Sequence, residues 1–184
     1  MPLQPFTDPR DWTDGEFVNE AIMDTHIKGN FNAMGPRFIA RKASDQSVAS
    51  STAFVSDTAL TMPVAINESW LFRFLLRWDA SIAGDIKISF SLPSGQIDAV
   101  PFPVATTANA FQDVMWQSLT TTDGQPNSFG ASGTGLVRIM AIEGVYTGGV
   151  TAGSVTLRWA QNISDATATR VLTNSTLWGV RLSP

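Results

Sequence analysis

The chain has 184 residues, 43% of them apolar and only 15% charged, with no cysteine, one histidine and a formal net charge of −4. No cysteine means no disulfide framework, thiolate zinc site, iron–sulfur cluster or cysteine nucleophile. Twelve basic groups against sixteen acidic ones, spread along the chain, give no electrostatic footprint for nucleic acid. No stretch approaches the roughly 20 apolar residues that cross a bilayer, and the start lacks a basic segment followed by an apolar run, so neither a membrane nor a secretory route is expected. A length near the usual domain size predicts one core-bearing unit.

The first 35 residues differ from the rest. Pro2, Pro5 and Pro9, with Phe6 and Trp12 around them, describe an extended arm that cannot be helical. Thr13 with Glu16 three residues later fits a capping box, which predicts a helix from about Glu16 to Met34, ended by Gly35-Pro36. Along it Glu20, Asp24 and Lys28 form a charged stripe. The opposite side carries Ile22, Met23, His26, Ile27, Asn30 and Met34, near Phe17 and Phe31. This broad face, with polar residues inside it, fits either packing on the same chain or contact with further copies. Residues 1–35 are therefore read as an N-terminal arm and helix open to contact with further copies, and residues 36–184 as a β-sandwich domain.

From Arg37 onward the hydrophobic period changes from 3.6 to 2. In the segment Trp70–Trp78, Trp70, Phe72, Phe74, Leu76 and Trp78 point one way, and Leu71, Arg73, Leu75 and Arg77 the other. The aromatic row is assigned to the core. The reverse face is too apolar for free water along its whole length, which makes Leu71, Arg73, Leu75 and Arg77 the first candidate interface. Ile86, Ile88, Phe90 and Leu92 alternate with polar residues, and with the preceding strand are expected to form a hairpin across the Gly84 turn. Further strands are expected at Arg37–Lys42, Leu60–Val64, Val114–Leu119, Gly135–Tyr146, Ser154–Gln161, Thr169–Leu172 and Leu177–Leu182. Eight or nine strands joined by Gly-, Pro- and Asn-rich turns predict a mainly β protein, a jelly-roll-like antiparallel sandwich. Gln96–Ala110 and Thr120–Thr134 read as long loops, anchored by Phe102 and Phe129.

The residues that carry chemistry are sparse. His26 is the only histidine, and no nucleophile elbow accompanies it, which argues against a Ser-His-Asp triad. The acidic residues lack the spacing of a calcium loop. Asp79, Asp85, Asp113 and Glu143 could meet in space as a carboxylate pair, though nothing singles out two of them. Gly133-Thr134-Gly135 and Gly148-Gly149 open no helix and carry no P-loop lysine, so they are read as turns. The expectation is a protein that is not an enzyme and uses neither cofactor nor metal.

Two regions resemble a known family. Trp12, Gly15 and Glu16, followed by Asn19 and Met23-Asp24-Thr25-His26-Ile27-Lys28-Gly29-Asn30, are similar to the start of many small virion structural proteins of tailed bacteriophages. Ala152–Asn162 and Ser175–Leu182 resemble the last strands of the same proteins. The resemblance implies a virion component with an N-terminal attachment segment and an outward-facing sandwich. Its implied role is a homotrimeric capsid decoration, head-fibre or minor capsid protein, bound to other virion proteins such as the major capsid protein. A tail-associated receptor- or glycan-binding protein is the alternative.

Overall fold

The computed structural model describes residues 17, 19–24, 37–102, 117–124 and 126–183. In chain order the elements are a helical turn α1 (Glu20–Ile22) and strands β1 (Arg37–Arg41), β2 (Gln46–Val48), β3 (Val55–Val64), β4 (Ser69–Asp79), β5 (Ile86–Ser91) and β6 (Gly95–Phe102). They continue as β7 (Gln117–Leu119), β8 (Asn127–Phe129), β9 (Arg138–Gly148), β10 (Gly153–Ala160), β11 (Thr169–Val171) and β12 (Thr176–Ser183).

The strands form two antiparallel sheets. The smaller has the order β3-β10-β5-β8, and the larger β1-β12-β4-β9-β6-β7, with β11 off this path pairing both β4 and β2. Without the β6–β7 pair, and with β1/β2 and β11/β12 each counted as one broken strand, eight strands remain. In sequence rank their orders are 1-8-3-6 and 2-7-4-5, the double Greek key of a jelly roll. The β6–β7 pair is an insertion that widens the larger sheet beyond β9.

Alternation built this arrangement. Trp70, Phe72, Phe74, Leu76 and Trp78 are all buried, as the period-2 reading requires. Their row meets the inner row of β5: the Phe74 and Phe90 rings stand 5.6 Å apart, and those of Phe72 and Phe90 6.0 Å apart. Leu157 and Trp159 of β10, Leu60 and Met62 of β3 and Tyr146 of β9 complete the core. Each large side chain so buried contributes about 2 to 3 kcal/mol.

Several expectations change. β4 and β5 do not form a hairpin: β4 lies in the larger sheet and β5 in the smaller, paired with β10 and β8. Both strands have an apolar row, and those rows face each other across the core, a relation that alternation alone does not distinguish from side-by-side pairing. Gln96–Phe102 is not loop but most of β6, paired along its length with β9. Phe102 is half exposed rather than an anchor, whereas Phe129 of β8 is buried in the core as expected. β2 was not foreseen, and β3 begins earlier, at Val55, than the expected Leu60.

The N-terminal helix also starts later than expected. Asn19 is extended, and its side-chain oxygen accepts from the Ile22 amide at 3.0 Å, so Asn19 caps a turn that begins at Glu20. The capping pair Thr13–Glu16, the arm residues Phe6 and Trp12, and His26, Ile27, Asn30, Phe31 and Met34 lie outside the described residues.

Candidate interaction surface

The side chains of the larger sheet that point away from the core form one broad face, because register places outward residues of neighbouring strands side by side. Three rows cross it. The first runs Arg37, Val180, Leu71, Val145, Asp98. The second runs Ile39, Trp178, Arg73, Glu143, Val100, and the third Arg41, Thr176, Leu75, Ala141, Phe102.

The face is apolar to an unusual degree. Ile39 is 71% exposed, Ile139 51%, Phe102 50%, and Trp178, Leu71 and Leu75 close to 40%. Large hydrophobic side chains scattered singly are ordinary, but a contiguous exposed group makes this face a candidate contact surface. At its centre Arg73 and Glu143, directly opposed on β4 and β9, form an ion pair of 3.1 Å. The two sides of the face differ in charge. Arg37 and Arg41 occupy the β1 side, with an Arg41 guanidinium nitrogen donating to Asn174 Oδ1 at 2.6 Å. On the β6 side the Asp98 carboxylate accepts from Gln96 Nε2 at 2.9 Å.

Of the interface residues expected from sequence, Leu71, Arg73 and Leu75 share this face. Arg77 is held differently, its guanidinium donating to the Thr173 carbonyl at 2.9 Å where β11 turns into β12. Phe17 and Met23 are exposed and α1 buries nothing, so Phe17, Ile22 and Met23 have no place in the sandwich core. Sequence reading passed over Ile39, Trp178, Ile139 and Phe102. The alternation of Arg37, Ile39 and Arg41 and the isolated Trp178 were available signals, but only the ladder shows that they flank Leu71 and Leu75.

The carboxylates serve separate structural contacts. Asp79, at the end of β4, takes Arg170 Nε at 2.9 Å and the Gly135 amide at 2.8 Å. The hydrogen-bonded Arg170 holds its carboxyl below the usual range against the opposing effect of burial, with help from Gly135. Asp85 accepts from the Ala131 amide at 2.7 Å, and Glu143 pairs with Arg73. Asp113 lies outside the described residues. At the other end of the sandwich Glu68 accepts from the Ala65 amide, the Trp70 indole and Arg181. Burial pushes Glu68 up, and those three donors outweigh it, leaving it below its ordinary value. Among the described residues no group of three or more histidine and acidic side chains is placed to hold a metal.

The fold defines a class, the two-sheet jelly roll with one widened, apolar outer face. No protein-family model matches the chain, and no curated protein matches it. Solved structures of infectious bursal disease virus, Gt and Gx strains, align with 79% of this chain at 12% identity and TM-scores of 0.21 and 0.20. The chain spans about two fifths of the length of those chains, 40% and 39%. At such TM-scores the likeness carries no argument about fold or role.

Proposed function

We propose that this protein is a structural component of a tailed-phage particle, a self-assembling capsid decoration or head-fibre protein attached through its N-terminal segment. The observation that carries the reading is the outer face of the larger sheet, an exposed apolar face on a jelly roll in which Glu68, Asp79 and Asp85 accept structural hydrogen bonds. The N-terminal resemblance supplies the particle, and the homotrimer and the absence of catalytic, cofactor and metal chemistry belong to the same proposal. A tail-associated glycan reader would display aromatic rings at a loop rim. On the loops around residues 80–85, 130–137 and 161–168 the large exposed side chains are Ile82, Leu136, Val137 and Ile163, and the exposed ring of Phe102 belongs to the outer face of the larger sheet. The deciding experiment images purified particles made with and without this gene, and with a chain lacking residues 1–34. Density for a small sandwich on the capsid, lost in both altered preparations, supports the reading. Particles identical in all three preparations exclude it.

A further inference from the structure

We infer that the outer face of the larger sheet is covered by further copies of the same chain, arranged as a closed three-membered ring about an axis parallel to the strands. This deepens the proposed self-assembly by naming its surface and does not depend on the virion role.

The charges stand at opposite sides of the face. Arg37 on β1 and Asp98 on β6 belong to the same row of the sheet, four strand spacings apart, with Val180, Leu71 and Val145 between them. A rotation about an axis parallel to the strands leaves every row at its own height. It therefore carries the basic side of one copy to the acidic side of the next at the same level, Arg37 against Asp98. The same rotation sets Ile39 against Val100 in the second row, and Arg41 against the exposed ring of Phe102 in the third. A guanidinium over an aromatic face is itself attractive. A face whose two sides complement each other row by row is matched to its own copy.

Dimensions agree with three copies. Four spacings of about 4.8 Å separate β1 from β6, and one more to the neighbouring copy at each corner makes a side of about 24 Å, or about 29 Å at the first row, where β7 lies beyond β6. Three such sides closing as a triangle put each sheet about 7 to 8 Å from the axis, so that side chains converge on it from three sheets. Leu71 and Leu75 of β4 then point towards the axis. Arg73 and Glu143, 3.1 Å apart in the middle row, place alternating charges around it. Heterologous contacts of this kind close on themselves and leave no apolar face to the solvent.

The test uses the full chain and charge reversal, read by sedimentation and light scattering at micromolar concentration. The parent chain should show three times its 19.8 kDa mass. Arg37→Asp and Asp98→Arg should each weaken assembly by about tenfold or more, because each sets like charges together at every contact. Their melting temperatures should stay near that of the parent, since Arg37 is exposed and Asp98, though partly buried, points out of the core. The double variant Arg37→Asp with Asp98→Arg should recover the trimer. A one-to-one mixture of the single variants should recover it poorly, because an odd ring cannot alternate two kinds of subunit and keeps one repulsive contact. A parent chain of single-chain mass overturns the proposal, as does a double variant that fails to reassemble. Efficient recovery of a dimer by the mixture replaces the ring by a two-fold contact. A trimer that ignores both reversals but dissociates on loss of residues 1–34 places self-assembly in the N-terminal segment, leaving the proposed role standing without this surface.

Discussion

The ammonium of Lys42 lies 2.9 Å from the carboxylate of Asp57, and neither side chain reaches solvent. Lys42 follows β1 at the edge of the larger sheet and Asp57 sits on β3 of the smaller, so the pair ties the two sheets along one side. It is fully dressed with hydrogen bonds. Lys42 also donates to Gln46 Oε1, while Asp57 accepts from the Ala59 and Leu60 amides and the Trp159 indole. A buried pair of this kind need not add much net stability, yet removing one partner leaves an unpaired buried charge. The two partners are not equivalent. Asp57→Ala strands the Lys42 ammonium with Gln46 and should cost about 3 to 5 kcal/mol. Lys42→Met leaves Asp57 three donors and should cost clearly less. Urea denaturation of the two variants checks the order, and equal losses would refute it.

The aromatic centre gives a second expectation. Phe74 is fully buried, 5.6 Å from the rings of both Phe72 and Phe90. Phe74→Ala should cost about 3 to 5 kcal/mol, from lost transfer energy and the cavity left between the sheets. Arg73→Ala, one residue away on the outer face, removes a half-exposed ion pair and should change folding stability by less than about 1 kcal/mol. Chemical denaturation of both, compared with assembly measurements, separates core from surface. A Phe74→Ala protein that melts like the parent would contradict the core assignment.

Acid should loosen both ends of the sandwich. Asp79 and Glu68 are held below their ordinary values in the folded chain, Asp79 by Arg170 and Glu68 by the net effect of its three donors. The fold therefore favours their charged forms. Their contribution is complete above the unfolded carboxylate range, near pH 4, and is lost as pH falls through the lower folded values. Melting temperature should drop from about pH 4 downward, and Asp79→Asn should flatten part of that decline while lowering stability at pH 7. A variant with the parent's full acid dependence would show that Asp79 is not a source of it.

Gly144 marks where β9 lets its neighbours come close. A Cβ there would strike the Asp98 carbonyl oxygen and lie 2.9 Å from both Ala99 Cα and the Phe72 ring. Gly144→Ala should destabilise the domain by about 1 to 3 kcal/mol through overpacking. It should also weaken assembly, since β6 must shift and carries Asp98 with it. Hydrogen exchange localised to β6 would report the displacement, and unchanged protection there would rule it out.

How much of this was visible in the chain depends on how each strand uses its two faces. β4 was legible because five large apolar residues alternate with charged or smaller ones over eleven residues. β6 was hidden because only one of its inward positions, Ile97, is a large apolar side chain, while Ala99, opposite Gly144, and Pro101 resemble loop residues. Proline is tolerated toward the margin of a sheet, and β7 pairs with β6 only at Ile97–Ala99. β2 and β8 are three-residue strands, too short for any period to register. The candidate surface was half legible: Leu71, Arg73 and Leu75 follow from alternation on one strand. Ile39, Trp178 and Phe102 join them only through register between segments up to 139 positions apart, which no local pattern encodes.

The pairing of β1 with β12 sets a direction for the whole domain. Arg37 stands opposite Val180, so the chain enters β1 and leaves β12 at the same corner of the sandwich. An anchor placed before residue 37 therefore holds that corner, together with the Glu68–Arg181 pair, against whatever it grips. The loops at 80–85, 130–137 and 161–168 become the distal tip. Foreign peptides inserted at 130–137 should face outward from an anchored particle, whereas the same peptides appended after β12 should lie crowded against its support.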